Sequence, residues 1–387
     1  MVGGARTPIG KFQGTLSNIP APELGAVAVR EAVKRSGIAL EKIEEVIMGN
    51  VVGAGLGQAP ARQAALKAGL KDTISATQVG KVCGSGLKAA MLASSMIRAG
   101  DADVLVAGGM ENMNRAPYLL QNARFGYRMG NGEMVDAVVH DGLWCAFENW
   151  HMGRAAEFIA RECGITRGMQ DEFSLKSHQK AIAAIQAGKF KAEITPVSIP
   201  SKKGVVLFDT DETPRADTSI EALSKLKSAF EEGGSVTAGN APPLSDGAAA
   251  VVLVGDDVAA RDGLKPLARV VSYAQAGTDA KHIFWAPIYA VRKALDKAGW
   301  KLGEVDLFEI NEAFASQALA DGQELGIDWN KVNVHGGAVA MGHPIGASGS
   351  RILVTLIYAL HDRGLKRGVA SLCLGGGEAV AMAIETP

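Results

Sequence analysis

Four side chains in this sequence could do covalent chemistry together: Cys83, Asn311, His343 and Cys373. Three of them stand on glycine. Cys83 runs into Gly84-Ser85-Gly86, His343 lies between Gly342 and Pro344, and Cys373-Leu374 leads into Gly375-Gly376-Gly377. A thiol attacks a carbonyl only as thiolate, and a neutral imidazole within hydrogen-bond reach can take its proton. Bare backbone N–H groups on glycine turns are ready donors for a developing oxyanion. A second thiol can move a proton to or from carbon. The set fits acyl transfer. Singly, each residue has a plainer reading: buried cysteines are commonly structural, a histidine in a Gly/Pro loop commonly holds a hydrogen bond, and an asparagine after a strand commonly caps a turn. Cys145 and Cys163 lack a glycine setting and read as structural. The glycine turns lack the lysine and the spacing of phosphate-binding loops.

The elements that position these groups follow from periodicity. Leu87, Ala90, Met91 and Ile97 predict a helix that starts near Gly84 and stops at Gly100, and Asp103 to Ala107 reads as a buried strand. Cys83 then sits at a helix N-terminus, where unpaired N–H groups and the helix dipole favour a thiolate and a nearby oxyanion. A strand from Val305 to Ile310 delivers Asn311, and one from Val369 to Leu372 delivers Cys373. His343 lies on the loop His335–Gly349, which enters another apolar helix. Nearer the start, Leu24, Ala28 and Ala32 form one helical stripe ended by Gly37. A strand Val46–Met48 leads into Gly49-Asn50, and Pro60 opens a further helix after a glycine-rich stretch.

An internal repeat decides the architecture. Val29-Arg30-Glu31-Ala32, running to Gly37, recurs as Val291-Arg292-Lys293-Ala294, running to Gly299. Ser85-Gly86 recurs as Ser348-Gly349, and Gly108-Gly109-Met110-Glu111 as Gly375-Gly376-Gly377-Glu378. The matches keep their order and a nearly constant offset, so the chain is two copies of one α/β unit. A pseudo-twofold between them would bring Cys83 towards His343. Alternating strands and helices predict mostly parallel sheets covered on both faces. Residues 1–115 and 246–265 belong to the first copy, 266–387 to the second, and 116–245 to neither. That inserted segment holds a polar, aromatic-dotted stretch from Phe125 to Trp150, a helical run from Met169 to Gly188, and a hairpin from Val197 to Leu207 turning at Lys203-Gly204. It is expected to overhang the catalytic edge.

The bulk numbers exclude several classes. The chain has 387 residues, 47% hydrophobic and 21% charged, with a formal net charge of −1. No global field attracts nucleic acid or an anionic membrane. No apolar run approaches the roughly 18 residues of a membrane span, and neither end reads as a signal or targeting segment. Cys83, Cys145, Cys163 and Cys373 show no metal spacing and no disulfide framework. A reduced, cytoplasmic setting is expected.

The motifs carrying the chemistry resemble those of the thiolases over nearly the whole length. They are Val82-Cys83-Gly84-Ser85-Gly86, Asn311-Glu312-Ala313-Phe314, Gly342-His343-Pro344 and Cys373-Leu374-Gly375-Gly376-Gly377. Ala5-Arg6-Thr7-Pro8-Ile9-Gly10, Gly108–Met113, Trp150-His151-Met152-Gly153 and Thr237–Asn240 agree with the same family. The resemblance implies two thiolase-like halves in a five-layered α/β/α/β/α core, with an inserted loop domain that binds coenzyme A. It implies that Cys83 carries the acyl group as a thioester, that His343 activates it, and that Cys373 handles the proton at the nucleophilic carbon. Asn311, through a bound water, and His343 would form one oxyanion hole, and the N–H groups of Cys83 and Gly375 the other. Arg215 and Thr218 fall where the family contacts the nucleotide end of coenzyme A. His151, Met152, Ala238, Gly239 and Ala241 fall along its pantetheine arm.

The activity so implied joins two acetyl-CoA into acetoacetyl-CoA and coenzyme A, and runs the reverse thiolysis. Coenzyme A and acetyl-CoA are then substrates, and neither a tightly bound cofactor nor a metal is expected. His151-Met152-Gly153 resembles the short-chain branch. A longer-chain 3-ketoacyl-CoA thiolase of fatty-acid breakdown is the alternative, which Pro243–Gly247 would suit, and a non-catalytic acyl-CoA or lipid carrier on the same fold is the rival from another class. A decarboxylating ketoacyl synthase would want a second histidine where Cys373 stands. Family members pair through the core, so a dimer at least is expected, and a tetramer through a loop in the position of Phe125 to Val139. Two departures stand out: Gly80 where the family usually has asparagine, and Pro242-Pro243 where it often has Ser-Gly.

Overall fold

The computed structural model describes residues 1–202 and 204–387. The first half contributes strand β1 (Gly3–Arg6), helix α1 (Ala21–Ser36), β2 (Glu45–Gly49), α2 (Pro60–Lys67), β3 (Ser75–Val79), α3 (Ser85–Ala99) and β4 (Val104–Asn112). An excursion follows, with α4 (Met152–Glu162), α5 (Arg167–Gln186), the hairpin strands β5 (Val197–Ser201) and β6 (Gly204–Phe208), and α6 (Ile220–Ser224). The chain returns through β7 (Ser245–Val254). The second half is β8 (Arg269–Gly277), α7 (Ala286–Ala298), β9 (Leu307–Ile310), α8 (Ala315–Leu325), α9 (Ile345–Arg363), β10 (Arg367–Leu374) and β11 (Glu378–Glu385).

The repeat is visible strand for strand. One sheet runs β1-β7-β4-β2-β3 and the other β8-β11-β10-β9, so β1, β7, β4 and β2 answer to β8, β11, β10 and β9. Helices α1 and α7 hold the matching Val-Arg-x-Ala segments and end alike, on Gly37 at φ 71° and Gly299 at φ 70°. Glycine accepts that left-handed cap at no Cβ penalty. Leu24, Ala28 and Ala32 of the expected stripe are all buried.

Five layers result. Helices α1 and α2 cover the outer face of the first sheet through Leu24, Val29, Val46 and Val106. Helices α3 and α9 fill the space between the sheets, where Leu87, Ile352, Leu356 and Leu372 are fully buried. Each such side chain contributes roughly 1.5–3 kcal/mol. Helix α7 covers the outer face of the second sheet through Val291, Leu295 and Phe308. The central pair crosses on glycine. A Cβ on Gly86 would lie 2.7 Å from Ser350 N, and one on Gly349 2.3 Å from Leu87 N. The two contacts are mirror terms of one crossing, and they hold the helix starts together.

The sheets differ from the sequence expectation. They are mixed: β2 is parallel to β3 and β4, and β9 to β10, whereas β7 runs antiparallel to β1 and β4, and β11 antiparallel to β8 and β10. The reason is local, since the three-residue turn Gly375–Gly377 can join only antiparallel neighbours. The strand expected from Asp103 to Ala107 runs on to Asn112. Gly108 and Gly109 therefore lie inside β4, while their repeat partners Gly375 and Gly376 lie beyond the end of β10. The excursion occupies that same β4-to-β7 connection. The hairpin forms as expected, with Val197 facing Phe208, although Lys203 of its turn lies outside the described residues. Buried Arg6 ties the excursion to β1, its guanidinium donating to Glu193 at 2.6 Å and to Asp211 at 2.7 and 2.8 Å.

Candidate active site

The turn between β3 and α3 presents Cys83. Val82 before it has φ of +43°, a conformation a β-branched residue rarely takes, and one that costs roughly 1–3 kcal/mol. Ser85 clamps the turn: its hydroxyl donates to Val82 O at 2.7 Å and accepts from Lys81 N at 2.8 Å. Burial pushes the Cys83 thiol up to about 12, and the nearby Glu111 charge adds to this, against the N–H groups of Cys83 itself and Gly375 that favour the anion. The helix N-terminus does not by itself give a resting thiolate. Desolvation outweighs it, and Cys83 stands as a thiol.

His343 is the matching neutral partner. Burial, with Arg351 beyond it, pushes its imidazole down to about 3. Ser348 fixes its tautomer. The Ser348 hydroxyl donates to Pro344 O at 2.9 Å, so the oxygen accepts from His343 Nδ1–H at 2.6 Å. Nε2 is then the unprotonated nitrogen, and it has no hydrogen-bond partner among the described residues. The backbone N–H of His343 donates to Ser245 Oγ at 3.3 Å. Ile345, two residues on, packs in one apolar cluster with Val82, Cys83 and Val138. The two halves thus bring Cys83 and the His343 loop together, as the pseudo-twofold implied.

Asn311 follows β9, its N–H donating to Ser371 O of β10 at 3.0 Å. It is buried, and both polar atoms of its side-chain amide lack a hydrogen-bond partner among the described residues. Behind it, Asn333 donates to Ile310 O at 2.8 Å and to Glu312 at 2.9 Å, and Glu312 also accepts from Ser177 Oγ and Val339 N. Burial pushes the Glu312 carboxyl up, while these bonds hold its shape. Unsatisfied buried groups cost about 1–3 kcal/mol each, so the Asn311 amide marks where a ligand's polar group would be held and His343 Nε2 where a proton would be accepted. Cys373 is buried near the end of β10, and burial drives its thiol far up, with Cys83 and Asp321 adding to the shift. Gly375 follows in the turn, facing Val82 and donating its N–H towards the Cys83 sulfur.

Some of the residues expected along coenzyme A pack near these groups. Met152, Phe230, Ala241 and Phe314 share an apolar cluster with Cys373. His151 accepts from Gly153 N at 3.0 Å and stacks on Phe230 at 4.8 Å, and its burial lowers its pKa. Gly239 lies against Leu223 and Leu226, and Ala238 beside it is exposed. Arg215 and Thr218 sit just before α6, where the Arg215 N–H donates to His178 Nδ1 at 3.1 Å.

The family model of the thiolase N-terminal domain matches residues 1–257, and that of the thiolase C-terminal domain residues 264–386. The chain belongs to the thiolase family. It is 55% identical over 385 residues to the acetyl-CoA acetyltransferase of Pseudomonas aeruginosa, covering 99% of this chain and 98% of that one. To the acetyl-CoA acetyltransferase of Escherichia coli it is 52% identical, covering 100% and 98%. Among solved structures, the acetyl-CoA acetyltransferase of Bacillus anthracis matches with a TM-score of 0.98 and 45% identity, covering 100% and 98%.

Sequence reasoning missed several parts of this thiolase site. Ser348 was legible as the repeat partner of Ser85, and both hydroxyls donate to a turn carbonyl beside a key residue. The positive φ of Val82 and the stacking of Phe230 on His151 left no sequence signal. Among the described residues, no three His, Cys, Asp or Glu side chains cluster to hold a metal, and no helix is long and apolar enough to cross a membrane.

Proposed function

We propose that this thiolase condenses two acetyl-CoA molecules into acetoacetyl-CoA and coenzyme A, and catalyses the reverse thiolysis. The observation that carries the reading is the convergence of two thiols with an Asn amide and a His Nε2 that no described residue satisfies. The names of the relatives support the same activity.

The steps balance on these residues. Cys83 Sγ attacks the thioester carbonyl of the first acetyl-CoA while His343 Nε2 takes its proton. The C–S bond to coenzyme A breaks, and the leaving thiolate takes a proton from Cys373. Cys373, now a thiolate, removes a proton from the methyl group of the second acetyl-CoA. The resulting carbanion attacks the Cys83 thioester, and Cys83 leaves and regains its proton from His343. Donors from Cys83 N and Gly375 N serve one oxyanion, and Asn311 and His343 the other. Low-dielectric burial keeps both thiols and the imidazole neutral at rest, so charge forms only when substrate excludes water.

Finer features belong to the same proposal. Residues 116–245 act as the coenzyme A-binding insert between 1–115 and 246–265, with 266–387 as the second half. Arg215 and Thr218 hold the nucleotide end, and Ala238, Gly239 and Ala241 line the pantetheine arm. The protein is a homo-oligomer, at least a dimer and by preference a tetramer. Tyr118, Leu120, Phe125, Met129 and Met134 support this, since they are exposed apolar side chains on one loop. The four free cysteines fit a reducing, cytoplasmic setting. His151 and Met152, backed by Phe230 and Phe314, wall the acyl end and favour the acetyl group. Each buried methylene would add about 0.8 kcal/mol in an open pocket, whereas overpacking costs roughly 1–3 kcal/mol. Thiolysis kcat/KM should therefore fall from the four-carbon to the eight-carbon 3-ketoacyl-CoA. A rise across that series would assign the chain to longer substrates.

A further inference from the structure

The duplication gives this fold two copies of the catalytic turn, and the second copy is not empty. Gly346 stands two residues before Ser348, as Cys83 stands two before Ser85. Asn50 follows β2, as Asn311 follows β9. A nucleophile position, its backbone N–H and a neighbouring asparagine amide are therefore repeated. In the Cys83 copy the Asn311 amide has no hydrogen-bond partner among the described residues. In the other copy both donors are engaged by one carboxylate. Glu111, fully buried at the end of β4, accepts from Gly346 N at 2.9 Å and from Asn50 Nδ2 at 2.7 Å. It also accepts from Val51 N at 3.0 Å and Val52 N at 3.2 Å.

All four partners of Glu111 are N–H donors, two on each oxygen. A proton on either oxygen would face only other hydrogens, so the bonding pattern requires the anion. Burial, with the Asp246 charge adding to it, pushes this carboxyl up to about 7, even with three backbone N–H groups acting against the rise. There is no slack at the contact. A Cβ on Gly346 would lie 2.8 Å from both Asn50 Cα and Glu111 Oε2, so only glycine lets the carboxylate reach the helix start. The repeat partner Glu378 does something else, pairing at the surface with Lys81 at 2.6 Å.

We propose that Glu111 is a positioning residue: its carboxylate fills the duplicate oxyanion pocket and ties the Asn50–Val52 loop of one half to the first turn of α9 in the other. His343 lies three residues before Gly346, so this tie sets its ring against Cys83. The inference rests on the thiolase reading of Cys83 and His343. The charged and titratable groups around the pair are Asp246 beside Glu111, and Glu111, Cys373 and His343 around Cys83.

Glu111→Gln tests it. Whichever way the amide turns, its NH₂ meets two N–H groups. Turnover should fall by up to about 100-fold, as displaced catalytic groups do, with KM for acetyl-CoA within about twofold of wild type. Carbamidomethylation of Cys83 by iodoacetamide at mildly alkaline pH should become faster, because the anion beside the thiol is gone. Opposite signs of the two effects separate positioning from general loosening. Unchanged turnover, or alkylation no faster than wild type, overturns the inference. If Glu111→Gln does not fold, Asn50→Ala removes one donor and keeps the anion. It should lower turnover with alkylation unchanged, and unchanged turnover there also overturns it. Wild-type protein that is not acetylated on Cys83 by acetyl-CoA would instead sink the catalytic reading beneath it.

Discussion

Ser348→Ala isolates the step that prepares the base. The hydroxyl accepts the Nδ1–H of His343 and spends its own hydrogen on Pro344 O. Without it, Nδ1–H is buried with no acceptor, and the imidazolium formed when Cys83 gives up its proton loses a charge-assisted bond. Such a bond is worth about 1.5–3 kcal/mol, and 1.36 kcal/mol is a factor of ten, so acylation should slow by about 10- to 150-fold. Pro344 O keeps the N–H groups of Ala347 and Ser348, so the helix start stays satisfied. KM should hardly move, because Ser348 is fully buried away from the insert. Rapid quench of enzyme with acetyl-CoA, followed by mass spectrometry of the Cys83 peptide, reads the acylation rate directly. An acylation rate matching wild type, or a loss confined to KM, would show that Ser348 does not set the tautomer.

Other outcomes follow from the same geometry. Cys373→Ala should still acquire an acetyl group on Cys83 but lose about 10²–10⁴-fold in condensation, the range for a missing general acid or base; absence of the acetyl-enzyme by mass spectrometry would refute this division of roles. Burial holds His178 and His335 down to about 4 and His343 to about 3. Unfolded histidines take up protons near 6.5, so the stability they provide is complete above that value and is lost as pH falls towards 4. These histidines should therefore pull the melting temperature down between neutral pH and about pH 5, while the raised carboxyls of Glu111, Asp246 and Glu309 pull the other way; His335→Gln should weaken the fall, and a pH profile unchanged in that variant would count against a buried neutral histidine there. Gly80 lies outside the left-handed region with no atom within 4 Å of a Cβ placed on it. Gly80→Ala should thus stabilise by about 0.4–1 kcal/mol through the unfolded chain, raising the melting temperature, and a lower value would mean the turn needs glycine.

Much of this site was legible because the chemistry needs specific residue types on specific turns. Cys83, Asn311, His343 and Cys373 all stand at the end of a strand or the start of a helix, and local periodicity finds those ends. The repeat supplied the long-range information that periodicity lacks, since it paired α1 with α7 and α3 with α9. What escaped was set by tertiary context. Strand direction depends on whether a connection is a turn or a crossover, and Gly375–Gly377 gave no warning of the difference. Charge states escaped too. A helix N-terminus argues for a thiolate at Cys83, but only the packed site shows that desolvation and the Glu111 charge outweigh it. Glu111 carries no local signal of its part, because its four donors come from two stretches of chain far apart in sequence, Asn50–Val52 and Gly346.

The long excursion between β4 and β7 leaves and re-enters the core across a single rung of a ladder, where Asn112 faces Asp246. Its ends are therefore already adjacent, and closing a loop grows more costly only with the logarithm of its length. The second half shows the other extreme, crossing the same gap with three glycines. None of Cys83, Asn311, His343 or Cys373 lies inside the excursion. A doorway of this kind makes the excursion a single branch off the core. Its length can vary at one rung while the ladder beneath it keeps its register, and contacts such as Ser177 Oγ to Glu312 tie its interior back to the site.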